Sequence, residues 1–337
     1  MRIVPLDLTD DDSVSACYEM FNAVMRADDP FGVPESLREF RANLVSNWSG
    51  APSETWYVPG AAGECVAVFQ VQFPDLENLD RAQMNVFVHP ARRRRGLGTA
   101  LLRHVAERAT AHERTLLSTT ALDGSDGEAF ALRFGAKGGK SDVRRVQELG
   151  KLPAGRVAAL RETAERAAGG YSLARWTGIT PDERLEQVAT LNNALNDAPR
   201  DPGVEPHFWD AQQIRERSDA RALASGRRRY SIAAIHDTTG EPAALTVVGV
   251  DPDVPEWGHQ AVTMVTRPHR GHRLGLLVKT AMLEWLAETE PRIERIVTWN
   301  AAANDHMIGI NEALGYAATG RPYRSYELPV AAVVPAG

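Results

Sequence analysis

The chain has 337 residues, 43% hydrophobic and 24% charged, with a formal net charge of −6. That composition supports buried cores in two domains of ordinary size, and its acidic balance argues against a general nucleic-acid binder. Two cysteines, Cys17 and Cys65, are too few for a disulfide framework or a metal site, and no segment is apolar enough to span a membrane. The expectation is a cytoplasmic protein without a metal, a membrane or a nucleic-acid partner, present as a monomer or homodimer.

In chain order, Ile3 to Leu6 reads as a short strand and Asp10 to Arg26 as a helix with acidic residues at its start. A second helix runs from Pro34 to Val45. Glu54 to Val58 and Cys65 to Phe73 read as strands joined through Pro59 to Gly63, and Gln83 to Val88 as a third strand. A helix with apolar positions at Leu97, Leu101 and Val105 follows. Then come a strand at Thr115 to Thr119, a helix at Glu128 to Phe134 and a strand at Asp142 to Glu148. Pro153 to Ala168 reads as a helix linking two domains.

The same order then returns. Tyr171 to Trp176 is a strand, Pro181 to Leu195 a helix, and a further helix lies near Trp209 to Ala224. Strands fall near Arg229 to His236, Ala243 to Val250 and His259 to Val265. A helix at Arg273 to Glu288, a strand at Ile296 to Trp299, a helix at Asp305 to Leu314 and a strand at Tyr323 to Leu328 complete the chain. Hairpin strands mixed with helices point to a mixed α/β fold with a mostly antiparallel central sheet, used twice. The expected division is residues 1–150, a linker helix at 151–170, and residues 171–337.

One stretch organises the rest. Val88-His89-Pro90 leads into Arg93-Arg94-Arg95-Gly96-Leu97-Gly98-Thr99, where a helix begins. Free backbone N–H groups at a helix start, together with the helix dipole, make an anion site. A second copy reads Val265-Thr266-Arg267-Pro268-His269-Arg270-Gly271-His272-Arg273-Leu274-Gly275. Each Val lies five residues before its Arg, and the copies close alike, at Phe134-Gly135 and Leu314-Gly315. This is neither the dinucleotide fingerprint, which lies near a domain start, nor a P-loop, since no Gly-Lys-Ser/Thr follows.

Arg93-x-x-Gly96-x-Gly98 resembles the coenzyme A pyrophosphate loop of the GNAT family of N-acetyltransferases. The second half resembles the same family through Arg270 to Gly275, Asn300, Asn304 and Leu314-Gly315-Tyr316. The resemblance covers nearly the whole chain as two tandem domains. It implies acetyl transfer from acetyl-CoA to a primary amine of a small molecule, by direct attack in a ternary complex. It implies pantetheine contacts at Phe87 and Val88, or at Met264 and Val265. The N–H of Val265 would polarise the thioester carbonyl. It implies a pyrophosphate held on the backbone N–H groups from Arg93 to Thr99, or from Arg270 through Gly271, His272, Arg273, Leu274 and Gly275 to Leu276.

There are departures. Arg273 replaces the loop's first glycine, and its side chain either obstructs the phosphates or lies outside them. Ala131 and Asn311 stand where the family often has a tyrosine acid. Ala82 and His259 stand where it often has a carboxylate base, which leaves His259 and Glu256 as candidate bases. Asn300 and Asn304 read either as cofactor contacts or as helix caps. A non-catalytic acyl-CoA sensor or scaffold is the alternative reading, carried by the absent tyrosines.

Overall fold

The computed structural model describes residues 2–45, 50–198 and 200–334. In chain order the first elements are β1 (Val4–Pro5), α1 (Asp11–Asp28), α2 (Leu37–Val45), β2 (Ser53–Pro59), β3 (Cys65–Gln72), β4 (Arg81–Val88), α3 (Leu97–Ala111), β5 (Leu116–Leu122), α4 (Asp126–Arg133) and β6 (Lys137–Glu148). Next are α5 (Arg156–Ala167), β7 (Tyr171–Thr177), α6 (Leu185–Asn193), α7 (Ala211–Gln213), α8 (Ala220–Ser225), β8 (Arg228–His236), β9 (Pro242–Val250) and β10 (Trp257–Val265). The last are α9 (Leu274–Thr289), β11 (Arg295–Ala301), α10 (Asp305–Ala313), β12 (Tyr316–Ala318) and β13 (Tyr323–Pro329). A π-helical turn, Ile214–Asp219, joins α7 to α8. Among the described residues, no helix is long and apolar enough to cross a membrane.

The chain forms two compact units, and their limits differ from a simple cut at residue 150. The first unit holds residues 1–142, 201–205 and 320–337; the second holds 143–200 and 206–319. Strand β13 explains the exchange. It lies antiparallel to β5 through Tyr323↔Leu122 to Pro329↔Leu116, and to the start of β6 through Tyr323↔Asp142. The end of β6 belongs instead to the second unit, where Gln147 pairs with Tyr316 of β12. The helix expected as a linker is part of the second core: Ala164 and Ala168 are buried with Leu277 and Ala281 of α9.

In the first unit the strand order is β1-β2-β3-β4-β5-β13-β6. Asp10 caps α1 by accepting from Ser13 N, and Val14, Cys17, Met20 and Val24 put a buried stripe on the sheet. That stripe packs on Val68 and Phe87, while Leu101, Leu102 and Val105 of α3 cover Phe69, Ala82 and Met84 on the other face. In the second unit the order is β7-β8-β9-β10-β11-β6. Here α9 is buried along most of its length, from Leu274 to Met282. A helix this apolar all round needs cover on every side, and α5 supplies part of it.

Candidate functional site

In each unit the antiparallel ladder ends at a parallel pair that separates. β4 and β5 pair from Arg81↔Leu116 to Gln83↔Ser118 and then part. β10 and β11 pair from Trp257↔Arg295 to His259↔Val297 and part in the same way. Beyond these rungs, one edge of β4 and of β10 has no strand beside it. His89 N donates to Val66 O, so the carbonyl of the same peptide, Val88 O, points the opposite way, into the opening. Thr266 N donates to Ala243 O, which sends Val265 O into the second opening. Strand alternation therefore aims the backbone of Val88 and Val265 at the gap, and that of Phe87 and Met264 at the antiparallel neighbour. Of the four expected pantetheine contacts, two have backbone groups facing the opening.

At the loop end of each opening lies a helix start. Ala100 N is the first donor to bond within α3, to Gly96 O at 3.1 Å, and Leu277 N the first in α9, to Arg273 O at 3.0 Å. The N–H groups of Leu97, Gly98 and Thr99, and of Leu274, Gly275 and Leu276, are the orphans a helix start leaves for an anion.

Two of the loop arginines are held by carboxylates. Arg93 donates from Nε to Val88 O at 3.2 Å and grips Asp28 with both terminal nitrogens at 2.8 and 2.6 Å, with Asp126 at 3.2 Å. Its partnership with Asp28 raises its already high pKa. Arg270 repeats the arrangement, from Nε to Val265 O at 3.3 Å and to Asp197 at 2.6 Å. These two guanidinium groups are braces between strand, loop and a preceding acid. Arg94 and Arg95 of the first loop, and His272 and Arg273 of the second, are exposed.

Each glycine has its own reason. Gly96 has φ +81° and empty space where a Cβ would go, so its backbone angle and not crowding favours glycine. Gly98 has ordinary angles, but a Cβ there would sit 3.2 Å from the ring of Phe130; at Gly275 it would sit 3.3 Å from Ile310 Cδ1. Close packing of the next helix fixes that second glycine. Arg273 adopts φ +54° at the start of α9, and its side chain is exposed.

Neither candidate base meets the demands of its role. Burial, reinforced by nearby Arg227, lowers the pKa of His259 to about 3. Such an imidazole stays neutral and takes a proton from an alkylammonium, near ~10.4, only against a steep gradient. Glu256 precedes β10 at its closed end, three residues before the last rung, or roughly 10 Å away along a strand. Asn304 caps α10 by accepting from Met307 N at 3.3 Å, and Asn300 Oδ1 accepts from Asn311 Nδ2 at 2.8 Å. Their first duties are structural. In the first unit, β13 brings Tyr326 beneath α4, where its hydroxyl donates to Glu128 at 2.5 Å. Burial and that carboxylate raise the phenol to about 12. No sequence signal links Tyr326 to α4, because the strand arrives from the far end of the chain.

Parted parallel strands that open onto an orphaned helix start are what a thioester arm and its diphosphate require. Residues 17–136 match the model of the Acetyltransferase (GNAT) family. That match lies wholly within the first half of the chain. The whole chain is similar to a tandem GNAT protein from the clavulanic acid biosynthesis pathway, at 28% identity, with 98% of each chain covered and a TM-score of 0.79. A GCN5-related N-acetyltransferase from Sphaerobacter thermophilus shares the fold at 16% identity, covering 98% of this chain and 95% of that one, with a TM-score of 0.65. No curated protein sequence matches the chain. The expected mixed α/β tandem GNAT architecture is therefore the one observed, and acyl transfer from acyl-CoA is the activity general to this family.

Proposed function

We propose that the chain transfers an acetyl group from acetyl-CoA to a primary amine of a small molecule by direct attack in a ternary complex. The observation that carries this reading is the opening beyond Gln83↔Ser118, with Val88 facing into it and the start of α3 at its mouth. The N–H groups of Leu97 to Thr99, with Arg94 and Arg95, would hold the diphosphate, and the edge of β4 the pantetheine arm. The amine nitrogen attacks the thioester carbon, a C–N bond forms and the C–S bond breaks. The nitrogen loses one proton, and the thiolate leaves as coenzyme A. The protein's part is alignment and polarisation of the carbonyl by backbone N–H groups. A thioester is already reactive, so Ala131 in place of a phenol does not remove the chemistry.

The test is calorimetry with acetyl-CoA on Gly96→Asp and Gly96→Asn. Both residues tolerate a left-handed backbone, and only one adds negative charge beside the diphosphate. The aspartate variant is expected to bind roughly 10-fold more weakly or worse, the asparagine variant near the parent. Equal affinities would remove the diphosphate from this loop. Thiol release on adding amines separates turnover from binding alone; heat with acetyl-CoA but no release with any amine favours the sensor reading.

A further inference from the structure

The two openings have different faces. On the side away from α3, the first unit presents Gln83 and Asn85 from β4 and Ser118 and Thr120 from β5. Gln83, Asn85 and Thr120 are exposed. The rungs Gln83↔Ser118 and His259↔Val297 fix the correspondence, and two residues on, Thr120 of the first unit matches Trp299 of the second. Asn85, three residues before the end of its strand, matches Val262, three before the end of β10. Two amides and two hydroxyls are thus replaced by His259, Val262, Val297 and Trp299.

Trp299 is 43% exposed although it stands on a central strand. On the same face, Val262 and Met264 of β10 pack into the apolar cluster of Trp176, Val188 and Trp209. A β-bulge adds a difference in the backbone. The ladder between β3 and β4 is unbroken from Ala67↔Val88 to Gln72↔Gln83, whereas that between β9 and β10 shifts between Gln260 and Val262. Bulges bend a strand and re-aim its side chains.

Among the described residues placed on this face, none is suited to discharge a cation. His259 is a weak base for the reason given above, and Asp197, at the loop end, is committed to Arg267 and Arg270 at 2.9 and 2.6 Å. An alkylamine, protonated at neutral pH, would meet an apolar wall and no proton acceptor. A weakly basic amine would not need one.

We infer that the second unit's site takes an aryl amine, uncharged at neutral pH, whose ring lies against Trp299. The inference rests on the acyl-transfer reading and names the acceptor class for this unit alone. The nitrogen arrives neutral, attacks the thioester carbon with its lone pair, and loses its proton to water after the C–N bond has formed; the thiolate leaves with the C–S electrons.

The experiment uses the full chain with acetyl-CoA, following thiol release with aniline-type amines and, in parallel, with glucosamine. Aniline-type acceptors are expected to turn over at a rate nearly flat between pH 6 and 8, in the same assay buffers throughout. Trp299→Thr, the residue of the first unit, is expected to lower kcat/KM for them roughly 10-fold or more, mostly through KM. Calorimetry with acetyl-CoA reports whether the variant keeps its donor site. If glucosamine is acetylated and no aryl amine is, the inference fails and the acyl-transfer reading stands. Aryl amine turnover that ignores Trp299→Thr also overturns it. If no amine releases thiol and acetyl-CoA gives no heat, the acyl-transfer reading itself fails, and the inference with it.

Discussion

In the first unit the left-handed positions of the loop are Arg94 and Gly96; in the second they are Gly271 and Arg273. The φ angles are +62° and +81° in one, +90° and +54° in the other. The backbone is the same, and the glycine has changed places with an arginine. Motif reading that searches for glycine at one position scores the second loop as damaged. The requirement is for two left-handed residues, and each loop meets it with one glycine and one arginine. What separates the units lies elsewhere: in the faces of their openings, in a bulge, and in one buried lysine.

The largest effect is expected from removing residues 320–337. That deletion takes β13 from between β5 and β6 and leaves the edge of β5 unpaired from Leu116 to Leu122. It also removes Tyr326, Leu328, Val330 and Val333 from the first unit's core. The expected outcome is loss of the folded first unit, seen as insoluble expression or loss of cooperative melting. A soluble truncated chain that still binds acetyl-CoA with parental affinity would show that β13 is dispensable to that unit.

Next in size is Lys279. It lies nine residues after Arg270, where the first unit has Leu102 nine after Arg93. Both are buried, at 3% and 1% exposure. Lys279 Nζ donates to Gln260 Oε1 at 3.0 Å and sits 4.8 Å from the ring centre of Tyr316. Burial lowers its pKa to about 7, against ~10.4 for an exposed lysine. Between those values the unfolded chain binds the proton and the folded one does not. The penalty is therefore absent above ~10.4, grows as pH falls, and is complete below about 7. Lys279→Leu should flatten that dependence. It removes a penalty on the order of 4 kcal/mol at neutral pH, offset by ~1–3 kcal/mol for the acceptor left unpaired on Gln260. A net gain of ~1–3 kcal/mol in urea unfolding at pH 7, shrinking to a loss near pH 10, is the expected result. A variant less stable than the parent at both pH values would show that the lysine is a net support.

The reach of sequence reading follows from these cases. Local features were legible: the periodic faces of α1 and α3, the hairpin strands, and the twice-used strand, loop and helix. Features that depend on long-range register were not. The exchange of β13 for the end of β6 cannot be read from either segment, since both are ordinary strands, and three-residue β12 carries no period of its own. The strand, loop and helix of the candidate site were legible, and the partners of its side chains were not. Arg93 and Arg270 look like phosphate ligands because the motif is basic. Asp28 and Asp197, which claim them, lie at the ends of helices far back in the chain. His259 looks like a base because histidine usually titrates near neutrality, and only its burial reveals that here it does not.

The smallest effect tests the loop comparison itself. Arg273→Gly would make the second loop conform to the motif, and Gly96→Arg would make the first depart from it. A non-glycine residue in the left-handed region carries roughly 1–2 kcal/mol of strain; glycine removes it but gives the unfolded chain about 0.5–1 kcal/mol of added freedom. The two terms nearly cancel, so Arg273→Gly should change the unfolding free energy measured in urea by less than about 1 kcal/mol. Gly96→Arg should cost about the same, because a Cβ at Gly96 meets nothing within 4 Å. Exposed Arg273 also adds a cation near the orphaned N–H groups of α9, so its loss should weaken coenzyme A at the second opening a few-fold, more at low salt than at high. A stability change of several kcal/mol in either variant would mean that the two loops do not share one backbone after all.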